Sequence, residues 1–217
     1  MDFDILRRTM IDTQIRTWDV LDPRVLNAVA QVKRENFVVA PYRHLAFADF
    51  TLPLEHGETM WSPKMEARVV QELDLREQDR VLEIGTGSGY LTALMAQLAG
   101  MVHSVEDRAD LSRTAEDHLR TQGVQNACLH IGDGSEGWAD NAPYDAICIT
   151  GSLPVLPDIF KQQLTIGGRL VAILGTGPAM GVRRILHSRP GVFESSELFE
   201  TEIPPLRHQP LPTHFVF

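Results

Sequence analysis

The clearest chemical signal in this sequence is a glycine-rich loop, G-T-G-S-G at residues 85–89, between an apolar run and a helical pattern. Glycines at alternate positions let the backbone turn tightly and let a ligand approach the main chain without an intervening Cβ. The helix that follows offers unpaired N–H groups and the positive end of its dipole. We therefore predict a cofactor-binding loop at this point. Its predicted contact residues are Gly85, Thr86, Gly87, Ser88 and Gly89.

Carboxylates accompany this loop at three places. Glu83 precedes the first glycine, and Glu106 ends the next apolar run, where a carboxylate can accept hydrogen bonds from both hydroxyls of a ribose. Asp133 and Gly134 follow the third apolar run, where a carboxylate can meet an adenine amino group. Taken singly, a G-D-G sequence is more often a turn and a lone glutamate a solvated charge. Their order behind the glycine loop is what predicts a nucleoside site.

The spacing of the glycines separates two classes of cofactor. A dinucleotide loop, G-x-G-x-x-G, requires a small residue where this chain has Tyr90. The actual pattern resembles the first motif of S-adenosylmethionine-dependent methyltransferases, in which the loop wraps the methionine part of the cofactor. This resemblance implies S-adenosyl-L-methionine as the cofactor. A nicotinamide-dependent oxidoreductase is disfavoured by Tyr90 and by the lack of a visible hydride-transfer dyad.

The elements that must position these residues alternate from about residue 79 onward. Alternating strands and helices predict an α/β fold with a doubly wound, mostly parallel sheet covered on both faces. The predicted strands are 81–84, 101–105, 127–131, 144–150 and 169–174, and the predicted helices are 88–98, 109–122 and 156–164. Three more strand-like segments, 182–188, 193–199 and 213–217, lack convincing helices between them and predict a hairpin finish.

The first 75 residues predict helices and loops. Asp22-Pro23 and Ser62-Pro63 each combine an N-cap residue with a proline at the first helical position. Behind Ser62, apolar residues recur at helical spacing. We therefore expect one domain, with an N-terminal helical cap over residues 1–75 and a cofactor-binding sheet over residues 76–217.

Composition limits the remaining functions. The 29 acidic and 20 basic residues give a formal charge of -9, which argues against binding nucleic acid through its phosphates. Cys128 and Cys148 both lie in apolar runs and predict small core residues in a reducing compartment. The histidines show no metal-binding spacing, so we expect no metal. Without an N-terminal apolar stretch or a run of about 20 apolar residues, we expect a cytoplasmic protein with no membrane segment.

A narrower resemblance covers nearly the whole chain. Residues 9–75 include DPRVLNA, RENFV, YRHLAFAD, LPLEHGET and SPKM, and further along stand GDGSEGWADNAPYDAICIT, GGRLVAILG and a weaker match at Ile203–Leu206. These segments are similar to protein-L-isoaspartate O-methyltransferases. The resemblance implies protein repair, by methyl transfer to the carboxylate of an isoaspartyl residue in a damaged protein or peptide. We expect a monomer or weak homodimer.

The resemblance is poorest at the acceptor side. The family usually carries T-I-S-x-P-x-M, whereas this chain has T-M-W-S-P-K-M at residues 59–65. Trp61 thus occupies the serine position, and Lys64 stands where a histidine is common. The residues that the resemblance implies at the acceptor are Thr59, Trp61, Lys64 and Thr150, and those it adds to the cofactor site are Ser62 and Met65.

With Trp61 at the serine position, the sequence does not identify the methyl acceptor. An indole in place of a hydroxyl changes the volume and the hydrogen bonding of the pocket, but an ionised carboxylate needs no general base, so positioning and exclusion of water can suffice. Trp61 can pack on the sulfonium or on a substrate by cation–π contact. Alternatively, Trp61 plugs the pocket. The alternatives are a non-catalytic S-adenosylmethionine-binding or regulatory protein, or a methyltransferase for another small acid.

Overall fold

A computed structural model describes residues 2–209 of the 217. Its strands are β1 (Leu52–Pro53), β2 (Thr59–Met60), β3 (Arg80–Ile84), β4 (Met101–Glu106), β5 (Ala127–Ile131), β6 (Tyr144–Leu153), β7 (Leu164–Thr176), β8 (Ala179–Arg189) and β9 (Val192–Glu200). Its α-helices are α1 (Phe3–Met10), α2 (Pro23–Gln31), α3 (Pro63–Leu73), α4 (Tyr90–Ala96), α5 (Ala109–Thr121) and α6 (Asp158–Gln162).

Seven strands form the main sheet in the order β5-β4-β3-β6-β7-β8-β9. Strands β3 to β7 pair in parallel, and β8 and β9 finish the sheet as an antiparallel hairpin. The predicted mostly parallel α/β sheet and its hairpin finish are therefore confirmed. The predicted strand 213–217 lies outside the described residues.

The two predicted proline-started helices begin where expected. Asp22 caps α2 by accepting a hydrogen bond from the Arg24 N–H at 2.8 Å, with Pro23 in the first turn. Helix α3 starts at Pro63 after Ser62, whose extended backbone has N-cap geometry. Ser62 is therefore the N-cap residue as predicted, although its side chain makes no capping hydrogen bond.

Several elements differ in length from their predictions, and for three of them the structure shows the reason. Helix α4 begins only at Tyr90, because Gly89 has φ +82° and cannot continue a right-handed helix. Helix α6 is short because Leu164, assigned to it from the sequence, pairs with Tyr144 at the start of β7. In consequence β7 is longer than the segment predicted from its apolar centre.

The sheet separates two apolar layers. Side chains such as Val81 and Val171 face α2, α3 and α4, whereas Leu82 and Leu170 face the side that holds Phe160 of α6. Cys148 is buried as predicted, but Cys128 is exposed because β5 is an edge strand. None of the helices between residues 2 and 209 has both the length and the apolar character needed to cross a bilayer.

Candidate functional site

A cleft with about 950 Å³ of open space lies where β3, β4 and β6 end, between the sheet and the N-terminal segment. Parallel α/β sheets bind ligands at this edge because the loops after neighbouring strands converge there. The glycine loop 85–88, the turn 132–135 and residues 58–61 all line the cleft. Segments predicted to bind a cofactor and segments predicted to bind an acceptor thus share one cavity.

The backbone of the glycine loop forms one wall. Gly85, Gly87 and Gly89 have φ values of +92°, +53° and +82°, a region that L side chains rarely adopt. A Cβ on Gly85 would lie 2.2 Å from Thr150 Oγ1. That hydroxyl lies 2.8 Å from the carbonyl oxygen of Ile84 and 3.0 Å from that of Gly85, and it donates to them. Thr150 therefore fixes the loop after β3 from the neighbouring strand.

Glu83 lies completely buried beneath the loop. Its Oε2 accepts hydrogen bonds from Ser104 Oγ at 2.6 Å and from Thr92 Oγ1 at 2.5 Å. Burial raises the pKa of Glu83 to about 7, against the bonds from these two hydroxyls. Among the described residues its other oxygen, Oε1, has no hydrogen-bond partner, although Glu83 lines the cleft. A buried acceptor without a partner at a cavity wall suits a ligand that donates a hydrogen bond.

Two more carboxylates line the same side of the cleft. Glu106 accepts from the backbone N–H of Gly87 at 3.0 Å and from that of Arg108 at 3.2 Å. Burial is the main cause that raises the pKa of Glu106. Asp133 is exposed and accepts from the Ser135 N–H at 2.9 Å, while Gly134 leaves space that a Cβ would fill 2.8 Å from Ile84 Cδ1. The predicted ribose and adenine residues therefore lie on one wall.

The opposite wall comes from the N-terminal segment. Thr59 and Trp61 line the cleft, and Trp61 is only 6% exposed. Arg34, which is fully buried, donates to the Trp61 carbonyl oxygen at 2.6 Å and forms an ion pair with Glu66. Its guanidinium also donates to the carbonyl of Ala46 at 2.8 Å. Arg34 therefore holds the backbone that presents the indole.

Four predicted site residues do not line the cleft. Gly89 is one of them, because it packs against Ala115 of α5 at the start of α4. Lys64 donates to Asp49 Oδ2 at 2.7 Å and lies 5.0 Å from the centre of the Trp18 ring, because α3 directs it to the outer surface. Ser62 and Met65 are buried in the packing at the start of α3. The structure thus brings together Thr59, Trp61 and Thr150 but separates Lys64 from them.

A segment that the sequence barely indicated closes one side of the cleft. Residues 204–208 line it, and the carbonyl oxygen of Pro204 accepts from the Ser152 N–H at 3.0 Å. Arg207 Nε donates to Asp107 Oδ2 at 2.6 Å. A Cβ on Gly151 would lie 2.6 Å from the Leu206 Cα, so this glycine permits the close approach. The only sequence signal was the weak match at Ile203–Leu206.

Sequence comparison matches residues 6–201 to the family model described as protein-L-isoaspartate(D-aspartate) O-methyltransferase. A protein-L-isoaspartate O-methyltransferase of Koribacter versatilis is 39% identical over 204 residues, covering 94% of this chain and 91% of the relative. One of Roseiflexus castenholzii is 42% identical over 185 residues, covering 85% of this chain and 84% of the relative. Both alignments include most of the cleft described above.

Comparison of folds gives the same type of structure. A Plasmodium falciparum protein described as a putative protein-L-isoaspartate O-methyltransferase, in complex with S-adenosyl-L-homocysteine, superposes with a TM-score of 0.79 at 20% identity over 95% of this chain and 99% of that one. A second protein-L-isoaspartate O-methyltransferase structure gives a TM-score of 0.81 at 24% identity, over 92% of this chain and 65% of that one. At these identities the likeness concerns the fold.

Proposed function

The chain belongs to the protein-L-isoaspartate O-methyltransferase family, and on that premise we propose that it transfers a methyl group from S-adenosyl-L-methionine to the carboxylate of an isoaspartyl residue. The observation that carries the proposal is the shared cleft. Its sheet wall has the glycine loop with Glu83, Glu106 and Asp133. Its other wall has the Thr59–Trp61 segment, where this sequence departs from the family motif. The partner is then a protein or peptide that carries the damaged residue.

The residues of the sheet wall fit the cofactor. The unpartnered Oε1 of Glu83 suits a donor such as an ammonium group, and we assign Glu106 to the ribose hydroxyls and Asp133 to an adenine amino group. Gly85 and Gly134 leave the space that a Cβ would otherwise take. When bound, S-adenosylmethionine supplies a methyl group activated by its sulfonium.

The chain's own residues then act by placing the acceptor and keeping water out. An ionised carboxylate needs no proton removed, so an in-line approach is the main requirement. Thr59 and Trp61 limit the acceptor from the N-terminal side, and Thr150 holds the glycine loop in position opposite them. Residues 204–208 cover a further side of the cleft. Lys64 has no part in this arrangement, because Asp49 and Trp18 hold it outside.

Charge favours an order of binding. Glu106 and Asp133 put negative charge on the cleft wall, which repels a carboxylate acceptor. A cationic cofactor offsets that charge. The acceptor is therefore expected to bind well only after the cofactor.

The first test measures methyl transfer from labelled S-adenosylmethionine to an isoaspartyl peptide and to its normal aspartyl twin. The Koribacter versatilis relative serves as the positive control. Transfer selective for the isoaspartyl peptide supports the proposal. If the chain binds S-adenosylhomocysteine but methylates neither peptide, the isoaspartyl acceptor is wrong.

The Trp61→Ser variant distinguishes the proposed methyltransferase from a second candidate, a protein that binds the cofactor without turnover. The near-complete burial of Trp61 at the cleft wall is the observation that favours the second candidate. Under the main proposal, both the wild-type chain and Trp61→Ser methylate the isoaspartyl peptide, with different KM values. An inactive wild type with an active Trp61→Ser variant means instead that the indole plugs the acceptor pocket.

A further inference from the structure

The two strands at one edge of the sheet bring two histidines and a cysteine together. Strands β4 and β5 pair in parallel, with His103 directly opposite Cys128 and with His130 two residues further along β5. Residues two apart on a strand point to the same face, so all three side chains share one face of the sheet. A ring nitrogen of each histidine and the Cys128 Sγ all lie within 4.8 Å of one another.

The separation of the two imidazoles matches a shared metal ion. His103 Nδ1 lies 3.1 Å from His130 Nε2. Two nitrogens bound tetrahedrally to one Zn²⁺, at about 2.0–2.1 Å each, stand roughly 3.4 Å apart. Cys128 supplies the third corner, because its strand places it opposite His103 and its Sγ lies within 4.8 Å of a ring nitrogen of each histidine.

The surroundings hold the two rings in place. The His130 ring lies 5.3 Å from the Trp138 ring, and the His103 ring lies 6.2 Å from that of Tyr144. Cys128 is exposed, so an ion can reach it from solvent.

We propose that His103, Cys128 and His130 bind one Zn²⁺, with water as the fourth ligand. A donor set of two imidazoles and a thiolate favours zinc over magnesium or calcium. Binding releases the Cys128 thiol proton to solvent and involves no change of oxidation state. None of His103, Cys128 and His130 lines the cofactor cleft, although His130 lies two residues before Gly132, which does.

Spacing along the sequence did not show this site. The ligands come from two strands that are 25 residues apart in the chain, and only the parallel register places them side by side. A hydrogen bond between the two imidazoles explains their contact without a metal, but it gives Cys128 no role. The test must therefore depend on the thiol.

The experiment titrates the purified, reduced full chain with Co²⁺ and then displaces it with Zn²⁺. We expect one equivalent of Co²⁺ to give visible bands of tetrahedral type together with a thiolate-to-cobalt charge-transfer band, and Zn²⁺ to remove both. Cys148 does not supply the thiolate, because it is completely buried and burial raises the pKa of its thiol well above the usual range. Zn²⁺ should also protect Cys128 from a thiol reagent.

Matched variants decide the assignment. Cys128→Ala should abolish the charge-transfer band and weaken Zn²⁺ binding by about 100-fold or more, since even outer-shell changes cost 10–100-fold. His56→Ala is the control, because His56 lies with Glu55 and Asp110 in the other ligand-type cluster of the described chain. Zn²⁺ binding that survives Cys128→Ala, or that is lost in a folded His56→Ala variant, would overturn the proposal. Circular dichroism confirms that each variant is folded.

Discussion

The sheet wall of the cleft takes its shape from the glycine-loop backbone and is called the backbone wall, whereas the N-terminal wall takes its shape from side chains and is called the side-chain wall. On the sheet wall, Gly85 and Gly87 turn through conformations that L side chains rarely adopt, and Thr150 ties the loop to the next strand. On the opposite wall, Trp61 is one of the lining residues, and Arg34 fixes its backbone from within the core.

This difference explains why the chain keeps one motif and loses another. A wall made of backbone requires glycine at fixed positions, because almost any substitution fills the space that the cofactor needs. A wall made of side chains changes its shape with a single substitution and leaves the backbone intact. Trp61 in place of the family serine is such a change, so cofactor class is more firmly fixed than acceptor.

The largest effect is expected from the side-chain wall, at Arg34. Arg34→Met leaves Glu66 buried without a counter-ion and removes the donor to the Trp61 carbonyl. Breaking a buried pair from one side costs about 3–5 kcal/mol of unfolding free energy, which urea denaturation measures. Arg34→Lys keeps the charge but loses the fork of donors, and we expect an intermediate loss.

Arg120→Met is the matched control for Arg34. Arg120 pairs with Asp117 on the surface, with side-chain exposures of 75% and 63%. Removing such a pair should change the unfolding free energy by less than about 1 kcal/mol. Equal losses for the two methionine variants would show that the buried pair does not hold the N-terminal wall.

Substitution of Gly85 should disrupt the backbone wall and weaken cofactor binding. Gly85→Ala puts a Cβ into Thr150 Oγ1 at a φ of +92°, so the loop must move. We expect S-adenosylhomocysteine affinity, measured by calorimetry, to fall about 100-fold, equivalent to about 3 kcal/mol. Gly123→Ala is the control, because its φ of +72° is similar but a Cβ there meets nothing within 4 Å. If both variants keep wild-type affinity, the backbone wall is less strict than we infer.

The contribution of Glu83 to the pH dependence of the unfolding free energy tests the same wall. Its folded pKa of about 7 exceeds its ordinary value of 4.5, so between these values the folded chain holds a proton that the unfolded chain releases. Stability from this group is therefore complete below about pH 4.5 and is lost as the pH rises toward 7.

The Glu83→Gln variant lacks this loss. The unfolding free energy of Glu83→Gln minus that of wild type should therefore increase by roughly 2 kcal/mol from pH 5 to pH 8. Urea denaturation at both pH values measures the gain. Glu116→Gln, at an exposed position on α5, should show no such gain. A pH-independent difference for Glu83→Gln would mean that the carboxylate is ionised throughout.

The parts of the fold that the sequence predicted depend on local pattern. The apolar runs around Val81–Ile84 and Tyr144–Thr150 predicted strands that the structure contains. Pro23 and Pro63 predicted the starts of two helices. Element lengths were less certain, because pairing with a neighbouring strand extended β7 through Leu164. Such pairing is a property of the sheet and not of the segment.

The parts of the site that were missed depend on contacts distant in sequence. Arg34 reaches Trp61 across 27 residues, and residues 204–208 reach the cleft from beyond the last strand. Cys128 looked like a core residue because its neighbours are apolar, but β5 is at the edge of the sheet. In each case the sequence shows the residue type, while the fold decides which way the side chain points.

Substitution of Lys64 should have the smallest effect, and it tests how far the side-chain wall extends beyond Trp61. The resemblance placed it at the acceptor, but its ammonium binds Asp49 at 2.7 Å and lies over the Trp18 ring, outside the cleft. Lys64→Met should therefore leave kcat/KM for the isoaspartyl peptide unchanged and cost about 0.5–1 kcal/mol of unfolding free energy. Trp61→Ala, three residues earlier and in the cleft, should alter KM in the same assay. A tenfold loss of kcat/KM in Lys64→Met, with S-adenosylhomocysteine affinity intact, would instead show that Lys64 leaves Asp49 to contact the acceptor, and the N-terminal wall would then extend beyond Trp61.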